Sequence, residues 1–290
     1  MEEKKNICII GLGLIGGSFG LSLSKLETVG TIYGVDLSEK HCNEAIDLGL
    51  VNEICELEIG IRSSDVVIIA TPVNIIKNQL PEVLDYVTNQ AVFDVGSTKK
   101  TIIDSVENHP KRKRFVPCHP MSGTEFSGPT AALADLYLDK YNVICNPDQS
   151  DEDALVVVEE LLQAIGMQLT YQDAAEHDVH VAYVSHISHI SAFALALTVL
   201  NKEESEEQIF QLAGGGFRSS VRLAKSNPLT WAPIFEQNRD AVMDVLDEHI
   251  TVLSKFRSLI IKKDFGQFSE LMIEANQIKR ILNKDNHKSN

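Results

Sequence analysis

The stretch Gly11-Leu12-Gly13-Leu14-Ile15-Gly16 constrains the fold of this chain more than any other feature. It follows the apolar run Ile7–Ile10, opens a helix beginning near Gly17-Ser18-Phe19, and precedes a second strand, Thr31–Val35, that ends in Asp36. The glycine pattern alone is weak, since glycine-rich turns occur in many α/β proteins. A strand before it, a helix after it and an acid at the next strand end make it a dinucleotide-binding turn. Gly11 permits the tight turn, Gly13 lets the backbone approach a pyrophosphate, and Gly16 permits close helix–strand packing. The helix N-terminus at Leu14 and Ile15 supplies N–H groups and the positive end of the dipole. Asp36 would accept hydrogen bonds from the ribose hydroxyls of NAD and repel the 2′-phosphate of NADP. NAD is therefore the expected cofactor, with Ser38 and Lys40 near enough to soften the preference.

The rest of the first half repeats this texture. Short β-branched runs at Asn6–Ile10, Thr31–Asp36, Val66–Ala70, Ala91–Val95, Phe115–Cys118, Tyr141–Asn146 and Gln168–Tyr171 alternate with helix-length segments, which predicts a mostly parallel sheet covered on both faces. After about Asp173 the strand-like runs vanish. Ala174–Leu200, Glu206–Ala213, Pro228–Lys262 and Gly266–Leu282 carry apolar residues at helical spacing. The expected architecture is an α/β Rossmann-type domain over residues 1–171 followed by an all-α domain over 172–290. The long helices have stripes to bury and only a modest core of their own, so pairing with a second copy through the helical domain is expected.

Composition narrows the partners. The 290 residues hold 26 Lys+Arg against 41 Asp+Glu, a formal charge of −15, which opposes general attraction to nucleic acid or an anionic membrane. The basic run Lys111-Arg112-Lys113-Arg114 lies between the helix-like Thr101–Asn108 and a strand, and reads as a solvated loop. Cys8, Cys42, Cys55, Cys118 and Cys145 are odd in number and contain no C-x-x-C pair, which suggests neither disulfides nor zinc. No apolar run reaches bilayer length and no export segment is evident, so a cytoplasmic protein without a membrane anchor is expected.

Ligands of open parallel sheets bind beyond the carboxyl ends of the strands. Two such ends are Ala70-Thr71-Pro72, placing Thr71 and Pro72 beside the cofactor, and Asp94-Val95-Gly96-Ser97-Thr98-Lys99. A third is Cys118-His119-Pro120-Met121-Ser122-Gly123-Thr124-Glu125. By itself His119 is undecided between a packing residue and a proton acceptor. Ser97 and the cofactor reach the same edge. Farther on, Ser185 and His189 are four apart and share a helix face. His186 and His189 are spaced as metal ligands can be, but no carboxylate or cysteine completes a set, so no metal is expected. For His180 and His186 ordinary helix packing carries more weight than for His189, and Trp231, the only tryptophan, would serve equally as core.

The motifs GLGLIGGS, DVGSTK, HPMSGTE, HDVHVAYVSHISH and GGGFRSSVRLAKSNPLTW, in this order and spread over nearly the whole chain, resemble the prephenate and arogenate dehydrogenases of tyrosine biosynthesis. The resemblance implies NAD-dependent oxidative decarboxylation of prephenate to 4-hydroxyphenylpyruvate, with arogenate as the nearest substitute. It also implies a homodimer. It makes His119 the acceptor of the substrate's hydroxyl proton and Ser97 its catalytic partner. It assigns Arg222, nine residues before Trp231, to the substrate carboxylate, where a guanidinium forms parallel charge-assisted bonds. Ser185, His189, Trp231 and His177 are the remaining substrate contacts it implies, with Arg218 facing solvent or the partner subunit.

One position departs from the pattern: an acid common after the GGGFR run is Ser219 here, so the surroundings of Arg218 differ. Neither a chorismate mutase domain nor an ACT domain has room in the chain, and feedback through a separate regulatory domain is not expected. Specific residues argue against two rival readings. The β-hydroxyacid dehydrogenases also join a dinucleotide fold to a helical domain, but they use a helical lysine where this chain has histidines and serines. A dinucleotide-sensing protein without catalysis would keep Asp36 and the glycines but would not need Ser97, His119, His189 and Arg222 together.

Overall fold

The structure, a computed structural model, describes residues 4–203 and 209–282. It divides into two compact units, Met1–Val242 and Met243–Asn290. The first holds an eight-stranded sheet: β1 Lys5–Ile10, β2 Val29–Val35, β3 Glu53–Ile54, β4 Val66–Ile69, β5 Ala91–Asp94, β6 Phe115–Pro120, β7 Tyr141–Cys145 and β8 Gln168–Gln172. The order is β3-β2-β1-β4-β5-β6-β7-β8. All neighbours are parallel except β6 and β7, where Cys118 faces Ile144 and His119 faces Val143. The chain leaves β1 toward β2 on one side and returns to β4 on the other, so the order reverses at β1. That is where open α/β sheets form their ligand crevice.

The apolar runs become central strands because both faces are covered. In β4 every residue is buried. Alternation sends Ile7, Ile9, Val66, Ile68 and Phe93 to one core, under helices Leu14–Leu23 and Glu152–Ala164, and Cys8, Ile10, Val67, Ile69 and Val92 to another, under helix Val73–Tyr86. The expected α/β sheet is thus present. The unanticipated member is β3, whose two residues are too short to read as a strand.

Three local expectations need correction. The basic run is not merely a solvated loop: Arg112 is buried and donates to the Phe115 carbonyl and Gln149 Oε1, while Arg114 pairs with Asp153. These side chains fasten the entry of β6. The helix foreseen at Glu206–Ala213 falls partly outside the described residues, and its described part, Ile209–Leu212, is a 3-10 turn. Pro228–Lys262 is two helices, Pro228–Gln237 and Arg239–Lys262, broken at Asn238.

A fourth correction concerns hydrophobic length. Ala174–Lys202 is one continuous helical stretch that is long and apolar enough to cross a membrane by length and composition alone. Polar residues dispersed along it hide that length in the sequence. Its His177, Asp178 and His186 are buried and hydrogen-bonded to groups of the sheet edge and of Asn238, as in a docked helix of a folded unit. It runs as α-helix over Ala174–Val181, as π-helix over Ala182–His186 and again as α-helix over Ile187–Glu203. Such π turns occur frequently at functional sites.

The second unit comprises the remainder of helix Arg239–Lys262, helix Phe265–Ala275 and the short helix Ile278–Leu282. Phe256 and Phe268 meet edge-on at 5.2 Å. Ile260, Ile261, Met272, Ile273 and Ile281 are exposed, a large apolar surface for so small a unit.

Candidate active site

The glycine turn begins where β1 ends. Gly11 has φ +93°, in the left-handed region, and a Cβ there would lie 2.8 Å from the Ala70 backbone. A Cβ on Gly16 would lie 1.9 Å from the Gly11 carbonyl oxygen, whereas one on Gly13 would meet no protein atom within 4 Å. Gly11 and Gly16 are therefore required by the fold, and Gly13 faces open space. That space is a cavity of about 1110 Å³ lined by Gly11, Gly13, Leu14, Ile15, Asp36, Thr71, Pro72, Ser97 and Trp231 among others. The first turn of helix Leu14–Leu23 leaves N–H groups without intrahelical acceptors at its wall.

Asp36 stands at the end of β2. Its Oδ2 accepts from the Leu12 N–H at 2.9 Å and its Oδ1 from the Ser38 N–H at 2.8 Å. These bonds fix the carboxylate toward the cavity and leave lone pairs free. Leu37 beside it is fully exposed on the same wall. Open backbone at Gly13, a helix N-terminus and an oriented acid are what a dinucleotide's pyrophosphate and ribose require. The residues fit NAD.

At the other end of the cavity, Ser97 follows β5. The residues after it turn inward: Thr98 Oγ1 donates to Gln237 Oε1 at 2.7 Å, and Lys99, wholly buried, pairs with Asp94 and donates to the Cys118 carbonyl. Asp94 Oδ2 also accepts from the Gly96 N–H at 2.9 Å and Oδ1 from the Cys118 N–H at 3.2 Å. This network welds the ends of β5 and β6 together, and so sets Ser97 and His119 on one rigid edge.

His119 retains only 8% exposure. Its Nδ1 lies 2.8 Å from His177 Nε2, and His177 Nδ1 lies 2.9 Å from Asp178 Oδ1. The Asp178 carboxylate in turn accepts the backbone N–H groups of Lys99 and Lys100 at 2.8 and 3.0 Å. Burial, reinforced by His177, Lys99 and His186, pushes the His119 imidazole well below its ordinary range. It is neutral near pH 7. No hydrogen bond joins Ser97 to His119 among the described residues; the ring is held by His177.

His177 differs from the expected substrate contact. It is wholly buried and both ring nitrogens are engaged within the protein, so it holds His119 and does not face the cavity. Trp231 does line the cavity, and His189 stacks on it with ring centroids 3.4 Å apart. His189 Nδ1 bonds the Ser185 carbonyl at 3.2 Å, consistent with a shared helix face. Neither Ser185 nor His189 lines the cavity itself; His189 backs Trp231. His186 is buried edge-on to Trp231, its Nδ1 lies 3.2 Å from Asn238 Nδ2, and desolvation pushes it down to about 4. Among the described residues no group of three His, Cys, Asp or Glu side chains is arranged to hold a metal ion.

Arg222 is half exposed, and its Nη1 donates to Glu125 Oε2 at 2.9 Å. Glu125 lines the cavity, so the guanidinium stands at its rim. Glu125 and Asp178 are the two acids that sequence reasoning passed over. Each had a signal: Glu125 closes the HPMSGTE motif, and Asp178 is a carboxylate beside a histidine in an otherwise apolar helix.

The family model described as the prephenate dehydrogenase nucleotide-binding domain matches residues 19–171, and that of the prephenate dehydrogenase dimerization domain matches residues 173–274. A prephenate dehydrogenase of Bacillus subtilis is 32% identical over 91% of this chain and 72% of its own. A cyclohexadienyl dehydrogenase of Zymomonas mobilis is 30% identical over 98% of each chain. The crystal structure of Aquifex aeolicus prephenate dehydrogenase with hydroxyphenyl propionate and NAD+ superposes with a TM-score of 0.87 at 31% identity, covering 96% of this chain and 98% of that one. Matched by both domain models and by relatives aligned over most of their length, the chain belongs to the prephenate dehydrogenase family.

Proposed function

We propose that the protein catalyses the NAD-dependent oxidative decarboxylation of prephenate to 4-hydroxyphenylpyruvate in tyrosine biosynthesis. The observation that carries this reading is a buried, neutral His119 at the same carboxyl-end edge of the sheet as a dinucleotide turn, behind the wall of a cavity that Ser97 and Trp231 line and that has an arginine at its rim. Residues 1–171 hold the cofactor. Residues 172–290 supply substrate contacts and the surface for a homodimer; on helix Ile187–Glu203 the apolar Leu195, Leu197 and Leu200 are exposed. All five cysteines are free, which suits a reducing cytoplasm.

In the Michaelis complex His119 accepts the proton of the ring hydroxyl while Ser97 donates to its oxygen and holds it in line, a contribution of about 10²- to 10⁴-fold for the base. NAD, when bound in the cavity at Gly13 and Asp36, would supply the hydride acceptor for the carbinol carbon. Cleavage of the ring carboxylate releases carbon dioxide, its electron pair makes the ring aromatic, and the phenolate oxygen recovers the proton from His119. Arg222 exchanges or shares Glu125 for a substrate carboxylate, and Trp231, braced by His189, packs on the ring. Asp36 accepts the ribose hydroxyls.

The test is turnover with prephenate or arogenate and NAD or NADP in all four pairings, following reduced cofactor and carbon dioxide together. Prephenate with NAD is expected to give the highest kcat/KM. Preference for arogenate would move the assignment to direct tyrosine formation, and no turnover in any pairing would overturn it.

A further inference from the structure

The hydrogen bonds behind His119 determine more than its position. The Asp178 carboxylate can only accept, so His177 Nδ1 carries the proton toward it. With that proton on Nδ1, His177 presents Nε2 as the acceptor of the 2.8 Å contact, and His119 donates from Nδ1. The lone pair of His119 is thereby left on Nε2, for which no protein partner exists among the described residues. We infer that His177 and Asp178 are positioning residues that fix His119 as the Nδ1–H tautomer, with Nε2 free to take the substrate proton.

This deepens the proposed function and rests on its assignment of His119 as the base. Two features of the geometry support it beyond the single chain of bonds. Asp178 is itself immobilised by the backbone N–H groups of Lys99 and Lys100, on the segment that carries Ser97, so the orienting carboxylate and Ser97 share one anchor. The groups facing the imidazole are His177 and His186 from the long helix and Lys99 from the β5 end. Asp178 brings a negative charge to the far end of the line of rings, against His177. The imidazolium formed as the substrate proton arrives is therefore stabilised through His177, and no proton need leave the relay. The arrangement parallels the carboxylate behind the histidine of serine hydrolases, with a second imidazole inserted between them.

The variant Asp178→Asn tests the direction of the proton. The single oxygen of an amide cannot serve His177 Nδ1 and the Lys99 and Lys100 N–H groups as the two carboxylate oxygens do, and the negative charge at the end of the relay is lost; the equivalent change in a serine-protease triad costs about 10⁴ in kcat with geometry intact. Asp178→Asn is expected to lower kcat by about 10²- to 10⁴-fold at pH 7 with prephenate KM and NAD affinity within a few-fold of wild type. His177→Gln, whose amide oxygen still accepts from His119 Nδ1–H, is expected to retain more activity than His177→Met. Nitrogen-15 NMR of the imidazoles reads the tautomer directly and without turnover. The wild-type protein should show His119 protonated at Nδ1. A resting His119 protonated at Nε2 in the wild type, or a folded Asp178→Asn variant with wild-type kcat, would overturn the inference. Absence of any prephenate turnover in the wild type would instead overturn the functional reading, leaving the tautomer to be decided by NMR.

Discussion

His119 is kept neutral by burial and by the positive or potentially positive groups at His177, Lys99 and His186. Because the base must be unprotonated to work, the acid limb of the kcat/KM profile should lie well below pH 6.5, the ordinary midpoint of a histidine. A limb at 6.5 or above would contradict this account of its surroundings. His186 makes a related prediction for stability. Its folded value of about 4 lies below the unfolded value near 6.5, so the unfolded chain binds a proton that the folded one refuses. Its share of stability is complete above pH 6.5 and is lost as pH falls from there toward 4, by roughly 2 kcal/mol at pH 5. Thermal melts of His186→Gln should show a shallower loss between pH 7 and 5 than the wild type. Arg222→Ala should raise the KM for prephenate at least ten-fold, as expected for loss of charge-assisted bonds worth about 1.5–3 kcal/mol each, with a smaller effect on kcat. His119, Ser97 and Arg222 are residues whose candidacy was legible in the sequence, because each sits in a short motif. Asp178 was not, since its meaning depends on Lys99, which is 79 positions away in the chain.

At the scale of elements, period and turn chemistry revealed seven of the eight strands, because central parallel strands are unbroken apolar runs. The two-residue β3, the π turn and the break at Asn238 have no such signature. They are settled by pairing with β2, by the burial of His186, and by Asn238 Nδ2 donating to the Asp178 carbonyl at 2.6 Å. The glycine turn separates fold from binding within six residues. Gly16→Ala drives a methyl group into the Gly11 carbonyl, and should destabilise the protein by at least the 1–3 kcal/mol or so typical of overpacking. Gly13→Ala meets nothing in the protein and has an ordinary φ of −73°. Its melting temperature should stay near wild type while NAD affinity, measured by titration calorimetry, falls at least ten-fold. Equal melting temperatures for the two variants would contradict this division of roles.

At the scale of the molecule, the amphipathic pattern that announced helices also announced too much apolar surface for them to cover. Leu197 and Leu200 on helix Ile187–Glu203 and Ile260, Ile261 and Ile273 in the second unit are all exposed. Exposed apolar area of this kind on each unit marks interaction surfaces, and a second copy of the chain is the occupant proposed. Light scattering should give twice the 32.1 kDa chain mass, and Leu197→Glu should shift it toward one. The central claim is chemical, and a comparison of wild type with His119→Asn, both supplied with prephenate and NAD, tests it most directly. The wild type should form one NADH and one carbon dioxide per prephenate consumed. His119→Asn should bind NAD with nearly unchanged affinity and turn over about 10²- to 10⁴-fold more slowly. A variant with wild-type turnover, or a wild type that reduces NAD without releasing carbon dioxide, would contradict the account.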